Sequence, residues 1–338
     1  MGARVDTLPP PVERVRAFVW VHRNLFDGWG NTLLTLATGA GLAAALRGAI
    51  RWAIHAHWGV VTENLRFWMV GLLPFQHLWR AWWAGGLVGT AAVLTLVGVR
   101  AGVSSRIHSG LWTGTLIAVA WLFSAVRIDQ IGGLYLTLLL ALIAISLSFP
   151  IGVLVGVGRV SPLPVIRLFC TAYIECIRGI PLIAMLLWFS IFVTLVSGDA
   201  LSRVQRAMIA MTIFSSAYVA ETMRGGILSV PRGQAEAARA LGLSGWQTMA
   251  YIVLPQAFKN MIPALVGQFI GLFKDTSLAV IIGLSELIGI GKALLAIPQY
   301  LHDVREVYVF VLLVFFVFSY TMSYASRLLE RKLGLGER

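Results

Sequence analysis

A chain of 338 residues with 58% hydrophobic and 12% charged side chains departs from soluble domains, which run at roughly 45–50% apolar and about 25% charged. Its formal net charge of +12 does not argue for nucleic acid, because no segment joins a basic stripe to a soluble fold and because Lys and Arg gather in the cytoplasmic loops of membrane proteins. Long unbroken apolar runs exclude the short alternating strands of a barrel and predict an all-α polytopic membrane protein.

In chain order, the residues before Trp29 include Arg4, Arg14, Arg16 and Arg23 without an apolar run ending at a small-residue cleavage site, so the N-terminus is expected to be retained. About eight transmembrane helices are expected, at roughly 20 apolar residues per span, near 31–46, 84–99, 110–126, 132–158, 168–196, 205–223, 257–282 and 306–326. The first is short and rich in Gly and Ala, and the fifth contains Glu175, Arg178 and Pro181. Between the first two, residues 47–83 hold Trp52, Trp58, Trp68, Trp79, Trp82 and Trp83. Tryptophan favours membrane interfaces, so this stretch is expected to lie as an external loop along the outer surface, partly as an amphipathic helix, or to dock an external partner. Cys170 and Cys176, both in apolar surroundings, receive no redox or metal role.

Charge placement gives the orientation. The N-terminus, the Arg100–Arg106 turn, the Arg159–Arg167 turn, the Arg224–Lys259 loop and the Arg327–Arg338 tail are each basic, whereas the alternate loops mix Asp129, Asp199, Asp303 and Glu306 with Arg127, Arg203 and Arg305. Both termini are therefore expected in the cytoplasm.

The polar loop after the sixth segment reads as two short helices and a turn. Pro231 suits a helix start, good helix formers follow it, and Gly242 can take the left-handed conformation that closes a helix. Ser244 with Gln247 three residues on is a capping-box signature, and Pro255 marks the next boundary. A compact hairpin of this kind can transmit force, although the spacing alone also suits a plain connector.

Glu236-Ala237-Ala238, then Gly242, then Ile252-x-Leu254-Pro255 after nine residues resembles the E-A-A-x3-G-x9-I-x-L-P motif of permease subunits in binding-protein-dependent ABC importers. That resemblance implies that the loop, 225–256, is a coupling element docking in a groove of a cytoplasmic ATPase. The segments Arg178-Gly-Ile-Pro-Leu182, Ala217-Tyr-Val-Ala-Glu221, Arg224-Gly-Gly-Ile-Leu228, Val230-Pro-Arg-Gly-Gln234 and Lys274-Asp-Thr-Ser-Leu278 are similar to the polar amino-acid branch, which handles His, Glu, Gln, Arg and opines. Ile180 stands where that branch usually has Thr. The resemblance implies a permease core over 130–330 with five helices, an N-terminal extension over 1–129 with three further helices, like the longer membrane subunits of general L-amino-acid importers, and a cytoplasmic tail over 331–338. It also implies a bacterial inner-membrane assembly with a second, homologous but different permease, two ATPase subunits and an external solute-binding protein. No cofactor is expected on this chain, and ATP and Mg are used by the partner ATPase.

Charges in lipid are expensive, about 2.5–3.5 kcal/mol at a helix centre on insertion scales. Glu175 with Arg178, and Glu221 with Arg224, are spaced three apart and are expected to neutralise each other, with Glu175 and Glu221 kept as candidates for the substrate pathway. Lys274, Asp275, Thr276 and Ser277 interrupt the seventh segment. Broken helices line transport sites in carriers, so these four are the main pathway candidates. Around Gly291-Lys292, Glu286 and Ala293 stand where a Walker A loop needs Gly and Ser or Thr. His55 and His57 read as an interfacial pair rather than a metal site. An intramembrane lipid-modifying enzyme would need convergent catalytic groups where the sequence scatters single charges, and a passive channel would need no hairpin. Opines or small organic cations are the alternative cargo.

Overall fold

The computed structural model describes residues 17–100, 102–332 and 334. Its helices are α1 (Ala17–Leu25), α2 (Trp29–His55), α3 (Gly59–Thr62), α4 (Leu65–Val70), α5 (Leu78–Arg100), α6 (Ser105–Phe123), α7 (Gly133–Arg159), α8 (Pro164–Arg178), α9 (Leu182–Ser197), α10 (Arg203–Leu228), α11 (Arg232–Ala240), α12 (Gly245–Gln247), α13 (Leu254–Asp275), α14 (Leu287–Leu295) and α15 (Val304–Lys332). Among the described residues the one β-type pairing is a bridge between Gly133 and Glu286, so the expected all-α class holds.

The chain divides into two compact units, 1–57 and 58–338. In the first, Gly28 takes φ 91 between α1 and α2, and the Thr35 hydroxyl donates to the Leu25 carbonyl across that turn. All 27 residues of α2 lack burial, and its apolar length suits a membrane span. Such a helix is stable only where lipid covers it. It extends past the expected 31–46 because Arg47 and Arg51 are good helix formers whose stems can lie on an apolar surface. Residues 47–55, expected in a loop, are therefore helical.

In the second unit α7 and α10 pack along their length. A stripe of Ala141, Ala144, Ser148, Gly152 and Gly156 on α7 is buried, and its two glycines lie against Ser216, Val219, Ala220 and Met223 of α10, all fully enclosed. A Cβ on Gly152 would stand 2.5 Å from the Val219 Cβ, and one on Gly156 would stand 2.6 Å from the Ala220 carbonyl oxygen. Small residues permit this backbone approach, the usual way for helices to associate in lipid. The contacts pair the C-terminal half of α7 with that of α10, so both helices end together. There α11 and α12 form the hairpin, and α13 starts back.

Four helical stretches among the described residues are long and apolar enough to cross a membrane, namely α2, α7, 245–282 and α15, and α8 with α9 makes up to five. The expected eight exceed that number. The α10 helix falls outside the set because Arg203, Arg206, Glu221 and Arg224 lower its apolarity, although its buried face makes it a core helix. The expected fifth span, 168–196, is broken, with α8 and α9 meeting at 99°. Pro181 has no N–H to continue α8 and restricts Ile180 before it, so the chain turns at Gly179–Pro181.

The Trp-rich segment also departs from expectation. Trp68 is buried, its indole Nε1–H donates to the Val60 carbonyl at 3.2 Å, and its ring packs edge-on against Phe310 at 4.8 Å. Val60, Val61, Val70 and Leu73 are buried with it. Gly132 N–H donates to the Val70 carbonyl and Gly133 N–H to the Ser285 carbonyl, joining this segment, the start of α7 and the turn before α14. Only Trp79, Trp82 and Trp83, on the first turns of α5, keep the exposed position expected of interfacial rings.

Candidate functional site

At the hairpin end, α11 begins after Pro231 and closes in a Schellman motif. Gly242 N–H donates to the Arg239 carbonyl and Leu243 N–H to the Ala238 carbonyl, while Gly242 takes φ 82, a region that L-residues enter at a cost of about 1–2 kcal/mol. Ser244 and Gln247 form the expected capping box, Gln247 N–H reaching the Ser244 Oγ at 3.3 Å and Ser244 N–H reaching the Gln247 Oε1 at 2.9 Å. Of the motif residues, Ala238 is buried, Ile252 and Leu254 are half-buried, and Glu236, Ala237, Gly242 and Pro255 are exposed. One face of α11 is thus pinned to the core by Ala235 and Ala238, and the Glu236–Ala237 face is free.

Between α12 and α13, residues 248–253 form a π-helix in which Leu254 N–H reaches back to the Met249 carbonyl. Pro255 explains the wide turn, because its ring would clash with the carbonyl four residues back, Tyr251, in a tight α-turn. Sequence reasoning missed that the hairpin also exposes Leu241 (84%), Trp246 (72%) and Tyr251 (68%). Large apolar groups on a polar element mark interaction surfaces.

Close to the hairpin, Arg159 at the end of α7 donates to Glu175 Oε1 on α8 and to Glu221 Oε2 on α10, both at 2.6 Å. Arg224 donates to Glu221 through Nε and Nη2, at 3.1 and 2.6 Å, so the expected Glu221–Arg224 pair forms. The expected Glu175–Arg178 pair does not. Arg178 instead approaches Glu221 at 3.9 Å and stacks 5.5 Å from the Tyr218 ring, since Arg159 already holds Glu175. The network joins three helices and neutralises most of its own charge.

The polar interruption at Lys274–Ser277 is a true break: α13 ends at Asp275 and a 3-10 segment runs over Thr276–Ile282. Thr276 is buried with its hydroxyl donating to the Phe273 carbonyl at 2.7 Å, Asp275 and Ser277 are half-buried, and Lys274 is exposed. Glu286, passed over in sequence as a mere non-match, is fully buried and caps α14, accepting from Ile288 N–H at 2.9 Å and Gly289 N–H at 3.0 Å. Burial pushes its carboxyl up to about 7, against the pull of those two N–H groups and Lys292. Its signal was an acidic residue just before the apolar run Leu287–Ile290.

Long apolar helices around a small-residue core, with one rigid polar hairpin where three core helices meet, define a multi-pass membrane transport subunit. The chain belongs to the family of binding-protein-dependent transport system inner membrane components, whose pattern matches residues 148–335. It is a transport component and not an enzyme. It is similar to the inner membrane amino-acid ABC transporter permease protein YhdY of Escherichia coli (strain K12), 34% identical over 353 residues covering 95% of this chain and 94% of that one. It is also similar to the glutamate/glutamine/aspartate/asparagine transport system permease protein BztC of Rhodobacter capsulatus, 30% identical with 96% and 95% covered. A solved structure described as an amino acid ABC transporter with histidines matches with TM-score 0.54 and 33% identity, over 59% of this chain and 92% of that one. The MetNI methionine ABC transporter, at 23% identity and TM-score 0.51, shares the fold.

Proposed function

We propose that this chain is the permease subunit through which an ATP-driven importer moves polar L-amino acids across the bacterial inner membrane. The observation that carries the reading is the hairpin: two short helices fixed by a Schellman motif and a capping box, pinned on one face and free on the other at Glu236 and Ala237. That geometry suits an element that receives motion from a partner, and the amino-acid permeases among its relatives supply the substrate class. In this reading Glu236, Ala237, Ala238, Gly242, Ile252, Leu254 and Pro255 form the coupling site, and two ATPase subunits, a second homologous permease and a solute-binding protein complete the assembly. ATP and Mg are bound by the ATPases. Residues 1–129 are the extension, 130–330 the permease core and 331–338 the tail, and the hairpin end faces the cytoplasm.

We assign Lys274, Asp275, Thr276 and Ser277 to the pathway because they interrupt α13. Glu221, already held by Arg159 and Arg224, is assigned to fixing α7, α8 and α10, and Glu175, with 59% of its side chain exposed, is left as the network's contact with the pathway. The deciding experiment is reconstitution of the complex in liposomes, with ATP-dependent uptake measured over a panel of labelled amino acids, opines and organic cations. Uptake of Glu, Gln, Asp, Asn, His or Arg is expected. Uptake of opines or organic cations alone overturns the substrate class.

A further inference from the structure

Between α10 and α13, at the hairpin end, lies a cavity of about 990 Å³, at the upper end of the roughly 300–1,000 Å³ common for small-molecule sites. Thr222 and Gly225 of α10, with Ser229 just past its end, line it together with Gln256, Lys259 and Asn260 of α13. These residues supply hydroxyls and amides that can donate or accept. Among the described lining residues Lys259 is the one charged side chain and none carries a carboxylate. A cavity so equipped favours an anionic group over a cation, and an ammonium donating to a carboxylate makes a charge-assisted hydrogen bond stronger than a neutral one. Gly225 leaves room, since a Cβ there would meet nothing within 4 Å.

Two polar contacts connect this space to the moving parts. Asn260 Nδ2 donates to Ser229 Oγ at 2.9 Å, bridging the two walls. Gln256 Nε2 stands 3.5 Å from Gln234 Oε1 on α11, so a shift of α11 acts directly on a lining residue. The cavity lies several turns along α13 from Lys274–Ser277.

We propose that this cavity is a binding station on the release side of the pathway, that Lys259 takes the carboxylate of the amino acid there, and that α11 sets its opening through Gln234 and Gln256. The proposal rests on the amino-acid permease reading. A release station must hold its cargo only briefly, which one ammonium among neutral groups provides.

The test uses the full complex in lipid nanodiscs and liposomes. In a background carrying Cys170→Ala and Cys176→Ser, Gly225→Cys is labelled by a charged methanethiosulfonate with and without millimolar glutamine or its α-carboxamide. Protection by glutamine and not by the carboxamide is expected, and Lys259→Gln should abolish it. In uptake, Lys259→Gln should lower the rate by about tenfold, and Lys259→Arg should restore most of the loss. Equal protection by acid and carboxamide, no protection by either, or wild-type uptake in Lys259→Gln overturns the station. If Lys259→Gln fails to assemble, the Gly225→Cys labelling decides alone. If the wild-type complex moves no amino acid at all, it is the permease reading that falls, and this inference with it.

Discussion

Glu286 spends its carboxylate on two backbone N–H groups inside a fully enclosed site, and its proton equilibrium follows from that burial. Its folded value near 7 lies above the ordinary 4.5, so between those values the folded chain keeps a proton that the unfolded chain has released. The corresponding stability is fully present below pH 4.5 and is lost as pH rises to about 7, a contribution on the order of a few kcal/mol. The thermal midpoint of the purified protein should therefore be lower at pH 8 than at pH 5. Glu286→Gln, which still offers an acceptor to the cap, should flatten this component and raise the midpoint at pH 8. Identical pH profiles for the two proteins would rule it out. Gly156 gives a second outcome at this scale. Gly156→Leu forces atoms into the Ala220 carbonyl and should cost at least the roughly 1–3 kcal/mol of an overpacked core, read as a lower midpoint, whereas Gly86→Ala, inside α5 with nothing within 4 Å of its added Cβ, should leave the midpoint in place or raise it slightly.

Among the elements, the hairpin is where sequence and structure agree most closely, because its signals are local: Gly242, Ser244 with Gln247, and Pro255 act on neighbours a few residues away. The ion network shows the opposite case. Spacing suggested Glu175 with Arg178, yet Arg159 wins Glu175 from 16 residues away and Glu221 from 62, and no local rule sees such partners. Trp68 is similar, since composition put it at an interface while long-range packing on Phe310 buried it. For the hairpin we expect Gly242→Val to tilt α11 against α12, and Ala237→Trp to hold the free face away from an ATPase groove. Glu236→Lys reverses the charge on that face. Each variant should insert normally but reduce ATPase co-purification or uncouple hydrolysis from uptake. Wild-type coupling in all three would remove the hairpin from the mechanism.

Across the whole core unit, the helix ends sort into two sets that must lie on opposite sides of the membrane. Arg159, Leu228, Leu254 and the hairpin share one end, and Gly334, beyond α15, lines the cavity there with Ser229 and Gln256. Glu63 is tied to Tyr300 by a 2.8 Å hydrogen bond, Gly132 to Val70 and Arg203 to Gly283 at 3.3 Å, so these segments share the other end. Basic residues outnumber acidic ones in the first set, with Arg159, Arg167, Arg178, Arg224, Arg232, Arg239, Lys259, Arg327 and Arg331 against Glu175, Glu221, Glu236 and Glu330, while the second mixes Glu63, Asp129, Asp303 and Glu306 with Arg127, Arg203 and Arg305. The positive-inside bias supports the proposed cytoplasmic placement of the hairpin, independently of any argument from coupling. Reporter fusions after Arg106, Val160 and Gly245 should accordingly read as cytoplasmic, and fusions near Glu63 and Asp199 as external. The hydrogen bond from Tyr300 makes this stricter than a charge count, because it ties Glu63 to the turn just before α15: a cytoplasmic signal at Glu63 together with one at Gly245 would break the topology of the entire core, not the placement of a single loop.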